Sequence, residues 1–276
     1  MLRKSWILTA VVMLTLMLAG CEELLVVTRQ EEYPLGAGVS VVDLTGYNGS
    51  IRWIPVGTTE RARIEIVKEV RGTDEEAMNQ FLDQINIEDN SSEYETVLRA
   101  VQPALKNGVR SSGVYYNVYI PPEQVTHFFA FTSNGQIEIQ ADFRGYLGLR
   151  TSNGPIILWS GKGEVDAKTS NGAITFNRLT LTGSSTFTTS NGRIDGTVEL
   201  SPTGRFVFET SNGYIRLRMP TNTSGNFYLY TSNGRIVFNL GSDRIEEEHY
   251  LRVVRGSEPV IDIRTSNGSI EISSDR

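Results

Sequence analysis

The sequence predicts an all-β protein: a parallel β-solenoid with an N-terminal α+β capping segment. Three observations carry this. The tetrapeptide T-S-N-G occurs seven times, starting at Thr132, Thr151, Thr169, Thr189, Thr210, Thr231 and Thr265, at intervals of 19, 18, 20, 21, 21 and 34 residues. A period near 20 marks a repeat architecture. Around every copy the apolar residues alternate with polar ones, the period of a strand with one buried face. The chain also holds 26 glycines, with β-branched and aromatic residues spread along its length, a composition of strands and turns.

Residues 1–20 read as a lipoprotein signal peptide. Arg3 and Lys4 form a basic start, Trp6 to Leu18 an apolar run, and Ala19-Gly20 a small-residue cleavage point. The run is too short to span a ~30 Å hydrocarbon core comfortably as a helix. The sole cysteine, Cys21, excludes an internal disulfide. The ending Leu18-Ala19-Gly20-Cys21 resembles the bacterial lipobox, which implies cleavage before Cys21, lipidation of its sulfur and a membrane partner through the acyl chains. Residues 21–38 are then a short tether, and the expected location is the cell envelope, outside the cytoplasm.

Residues 39–125 form the capping segment. "GVSVVDLTGYNGSIRWIP" and "ARIEIVKEV" are strand-like. "TDEEAMNQFLDQI" is helical, with Thr73 as the expected cap, Glu76 closing a capping box, and Met78, Phe81, Leu82 and Ile85 on one face. "VYYNVYIPPE" is a strand ending at Pro121-Pro122.

Residues 126–276 hold the repeats. Three residues after each repeat asparagine stands an isoleucine: Ile137, Ile156, Ile174, Ile194, Ile215, Ile236 and Ile270. Positions five after, and four and six before, are apolar in nearly every copy. An eighth, weaker copy surrounds Asn48. Antiparallel hairpins would explain Asn-Gly but not the constant Thr and Ser. Stacked parallel coils do explain them, because equivalent residues fall about 4.8 Å apart and form columns. Parity places the threonines inward. It also makes Asn134, Asn153, Asn171, Asn191, Asn212, Asn233 and Asn267 an inward amide ladder at a corner, with glycine supplying a left-handed turn. The 34-residue interval reads as a loop or short helix inserted at 241–259. The polar C-terminus offers little protection to that end of the array.

The T-S-N-G-x-I repeats, the opening "NGSIRW" and the strand ending in "VYIPPE" resemble a bacterial putative-adhesin family built of repeated β-strands. The likeness runs from about Val39 to Ile272. It implies a β-solenoid, an extracytoplasmic location and a binding role, and it brings no catalytic residues.

The residues themselves point the same way. A formal net charge of -6 argues against a nucleic-acid partner. Of the two histidines, His127 sits beside Phe128-Phe129 and His249 follows an acidic run. No hydrolase, phosphate-binding or metal motif is present, so no catalytic residue, metal or cofactor is expected. Outward positions give a candidate ligand strip of Tyr214, Arg216, Tyr230 and Arg235, suited to a glycan or an envelope protein. A carbohydrate-active enzyme on the same fold and a protein-binding accessory of envelope stress signalling are the alternatives. The inward threonines argue against an ice-binding face.

Overall fold

The computed structural model describes residues 7–9 and 24–275; Cys21 and the remainder of the leader lie outside the described residues. The described chain is nearly all β, with one α-helix, Glu75–Gln84, and a 3-10 turn, Pro122–Gln124. None of its helices is long and apolar enough to cross a membrane.

The two strands flanking each T-S-N-G do not pair with each other. Each joins a separate parallel ladder with its counterparts in other repeats, which excludes the antiparallel hairpin stack. The post-corner ladder sets isoleucine against isoleucine: Ile51, Ile137, Ile156, Ile174, Ile194, Ile215, Ile270 and Ile236, in that spatial order. The pre-corner ladder runs through Val41–Thr45, His127–Phe131, 146–150, 165–168, Ser185–Thr188, Arg205–Glu209, Val260–Thr265 and Asn226–Thr231. The alternating pattern reads correctly along both: every apolar position three and five after, and four and six before, the repeat asparagine is buried. Full burial of such a side chain contributes about 1.5–3 kcal/mol, so the repeated columns are a large share of the core. Phe187 and Phe208 stack with ring centroids 5.0 Å apart and planes 6° apart. Gly196, the one exception at its position, lies where a Cβ would overlap the Phe176 ring.

The spatial order differs from the chain order. The last copy, Thr265–Gly268, lies between the fifth and the sixth. The long interval is not a loop or helix. It holds two strands, Asp243–Glu247 and Tyr250–Val254, which pair antiparallel with Ile236–Leu240 and Asn226–Thr231. They cover the end of both ladders, so that end is protected after all.

At the other end, Glu95–Val101 pairs parallel with Val41–Thr45, and Val109–Tyr119 parallel with Ile51–Ile54. Antiparallel strands close both ladders. Asn86–Asp89 pairs with Glu95–Val101, and Arg63–Gly72 joins Val109–Tyr119 to Leu25–Pro34, against which Ile7–Thr9 lies. The helix packs Met78, Phe81 and Leu82 inward. Its cap is Asp74 rather than Thr73: Asp74 has extended φ and ψ and accepts from the Ala77 N–H. That shift by one residue puts Ala77 where a capping box needs Glu or Gln.

The corner divides its labour differently from the inward-ladder expectation. The threonines are buried, at 0–6% exposure. Thr189 Oγ1 donates to the Gly172 carbonyl of the neighbouring repeat at 2.9 Å and accepts from its own Gly192 N–H at 3.2 Å; the other copies repeat the bond to the neighbouring glycine carbonyl. The seven repeat asparagines are exposed. They still form a column, each Nδ2 donating to the next Oδ1 at 2.5–2.8 Å, ending on Asn48. Asparagine stands at the apex of the bend, so strand parity no longer governs where its side chain points. None of the seven glycines has positive φ. They are required by proximity: a Cβ on any of them would overlap the glycine carbonyl of the adjacent repeat.

Candidate functional site

The outward face of the post-corner ladder carries positions two, four and six after each repeat asparagine. The second copy presents Pro155, Ile157 and Trp159; the third, Ala173, Thr175 and Asn177; the fourth, Arg193, Asp195 and Thr197; the fifth, Tyr214, Arg216 and Arg218. Trp159 on the second copy and Arg216 and Arg218 on the fifth flank shorter side chains at Ala173, Thr175, Asn177, Asp195 and Thr197, with Arg193 the one long side chain on the inner rungs. The result is an open groove of about 660 Å³, lined by Trp159, Thr175, Arg193, Asp195, Tyr214 and Arg218 among others. Three rung spacings give it a span of about 14 Å.

Charge is distributed unevenly across it. Asp195 accepts from both terminal nitrogens of Arg218, at 3.0 and 2.9 Å, and from the Tyr214 hydroxyl at 3.5 Å; Arg216 lies 3.7 Å away. This carboxylate therefore anchors the far wall. Arg216 also donates to Glu271 at 2.8 Å, and that bond, with the Glu271 charge, holds its guanidinium above the ordinary arginine range. Arg193 is exposed and has no ion pair among the described residues. Trp159 is 52% exposed and donates through Nε1 to Glu138 at 3.2 Å, which fixes one edge of the ring.

The strip expected from the sequence does not form as one surface. Tyr214 and Arg216 border the groove. Ser269 and Glu271 of the interposed last copy separate them from Arg235, which pairs with Glu246 at 3.6 Å. Tyr230 belongs to the pre-corner ladder, opposite Tyr250 and Arg264. Trp159 and Arg218 stand six after their asparagines, the next outward position of the same parity, which the strip expected from the sequence does not include. Elsewhere, His127 packs against Phe129 and Tyr146, with Thr126 Oγ1 3.0 Å from its Nδ1. Among the described residues no group of three or more His, Cys, Asp or Glu is placed to hold a metal ion.

No protein-family model matches the chain. No curated protein matches it either. Solved structures similar to it include a putative cell adhesion protein from Clostridium sporogenes, 14% identical, covering 90% of this chain and 100% of that one with a TM-score of 0.33. A putative adhesin from Bacteroides fragilis is 10% identical over 90% and 96% of the two chains, with a TM-score of 0.42. One from Parabacteroides distasonis is 11% identical over 89% and 96%, with a TM-score of 0.39. These structural neighbours are bacterial proteins, named a putative cell adhesion protein in the first case and putative adhesins in the other two.

Proposed function

We propose that this chain is a lipid-anchored, extracytoplasmic β-solenoid that acts as a non-enzymatic, adhesin-like binding module, and that the groove of the post-corner face receives an acidic glycan. The observation that carries the reading is an exposed Trp159 and an uncommitted Arg193 in one groove, separated by the short outward side chains of the third copy. An indole face stacks on the apolar face of a sugar ring, and a guanidinium takes a carboxylate through two parallel hydrogen bonds. Asp195 is already engaged by Arg218, Arg216 and Tyr214, so it acts as a support for the wall and not as an acid or base. The stacked coils hold these groups on strands or, for Arg193 and Tyr214, on the residue that enters one, which favours binding without rearrangement. The anchor follows from Cys21 behind Leu18-Ala19-Gly20.

A glycan array probed with the full chain in detergent tests the groove. Trp159→Ala and Arg193→Gln are expected each to weaken binding to carboxylated glycans by about tenfold or more, with unchanged melting. Profiles identical to wild type would remove the groove as the site. Cys21→Ser is expected to leave an unprocessed precursor, seen by mass and by membrane fractionation; normal processing of that variant would overturn the anchor.

A further inference from the structure

The asparagine column stops at Asn48. That residue accepts from Asn134 Nδ2, while its own Nδ2 has no partner among the described residues. The ladders nevertheless continue by one more rung, built from Glu95–Val101 and Val109–Tyr119. No T-S-N-G joins these two strands; the connection begins Gln102-Pro103-Ala104-Leu105. A cavity of about 640 Å³ opens between this connection and the first corner.

Its walls are unusual for the surface of this molecule. Tyr47, Val101 and Leu105 line it, and all three are large apolar side chains left 38–57% exposed. Several of its polar groups are unused donors. Asn48 Nδ2 is one. Arg99 is exposed and has no carboxylate within 4.0 Å among the described residues. Gln102 accepts from the Ser112 hydroxyl at 2.8 Å, while its Nε2 is buried without a partner.

The geometry points to this vacated corner as a binding site for a small ligand that carries a carboxylate on an apolar body. One carboxylate oxygen takes the place that the next asparagine Oδ1 would occupy and receives the Asn48 Nδ2 hydrogen. The other faces Arg99, and the apolar body covers Tyr47, Val101 and Leu105. A neutral ligand of the same shape fills the walls but leaves Arg99 uncompensated. The site lies in a different part of the fold from the groove and does not depend on it.

The test uses the full chain in detergent, labelled with ¹⁵N in its Asn and Gln side chains, with N-acetylphenylalanine as the probe and N-acetylphenylalanine amide as the neutral control. The acid is expected to shift the Asn48 and Gln102 side-chain amide signals at millimolar concentration, and the neutral amide to bind about tenfold more weakly. Arg99→Gln is expected to abolish that preference while Arg193→Gln leaves it intact. Absence of any shift at Asn48 and Gln102, or equal binding of acid and amide by the wild type, overturns the proposal. So does an Arg99→Gln variant that binds the acid as the wild type does.

Discussion

A single methyl group is more than the corner can absorb. Gly192 has an ordinary backbone conformation, yet the Gly172 carbonyl sits where its Cβ would be. Gly192→Ala is therefore expected to destabilise by about 1–3 kcal/mol through overpacking, and a positive-φ rationale would not have located that cost. Thr189→Val keeps the shape and removes the hydroxyl that bridges Gly172 and Gly192; two buried backbone groups lose their partner, at about 1–3 kcal/mol. Asn212→Ala interrupts an exposed column and is expected to cost less, about 0.5–1.5 kcal/mol. Urea melts of the three variants check this ranking, and an asparagine effect equal to the threonine effect would contradict it. Asp43 adds a pH dependence. Burial, and then the charge of Glu95, raise its pKa above the ordinary aspartate value. Its neutral form is the one the fold favours. Its contribution is fully present below the unfolded pKa and is lost as pH rises through the folded one. Asp43→Asn is expected to stabilise the protein at neutral pH and to remove that part of the slope, measured by melting across the acid range.

At the scale of elements, strands and helix were legible where the pattern was strong, and boundaries were not. Alternation placed every inward residue of both ladders, because burial on one face of a strand leaves no other period. The helix face of Met78, Phe81 and Leu82 was equally plain. The cap was missed by one residue, because Thr73 and Asp74 both have the chemistry and the sequence cannot tell which takes extended φ and ψ. Asp74→Ala is expected to cost about 1 kcal/mol, and Thr73→Ala only a few tenths, read from the same melts. The closing strands 243–254 were unreadable for another reason. "DRIEEE" looks like a solvated acidic loop until a ladder edge is there to pair with it. Charged residues are also a common device for blunting an edge. Replacing 242–257 by a short Gly-Ser linker is expected to leave two open edges and to produce end-to-end association, visible as larger species in size-exclusion chromatography. A variant that remained monomeric would show that these strands are not what keeps the end closed.

For the whole molecule, the repeat pattern determines what one repeat looks like but not which repeats touch. Seven nearly identical corners are interchangeable as neighbours, so order in space is set by the connections. The 34-residue interval is long enough to carry the chain out past the sixth copy, across the end and back inside it. The expected strip suffers from the same ambiguity: its residue types are visible, but it takes the fifth and sixth copies as adjacent, and the seventh stands between them. That interposition also bears on how the protein is made. Val260–Thr265 and Ile270–Ser274 are synthesised after everything they separate, so while the chain folds the fifth and sixth copies either wait unpaired or pair with each other and must part again. The final strands act as a proofreading clasp: a chain interrupted before Val260 carries an unfilled slot within its own body, where a completed chain carries none. A protease that attacks unpaired backbone is expected to cleave the interrupted chain and spare the finished one, as read by limited proteolysis of the two.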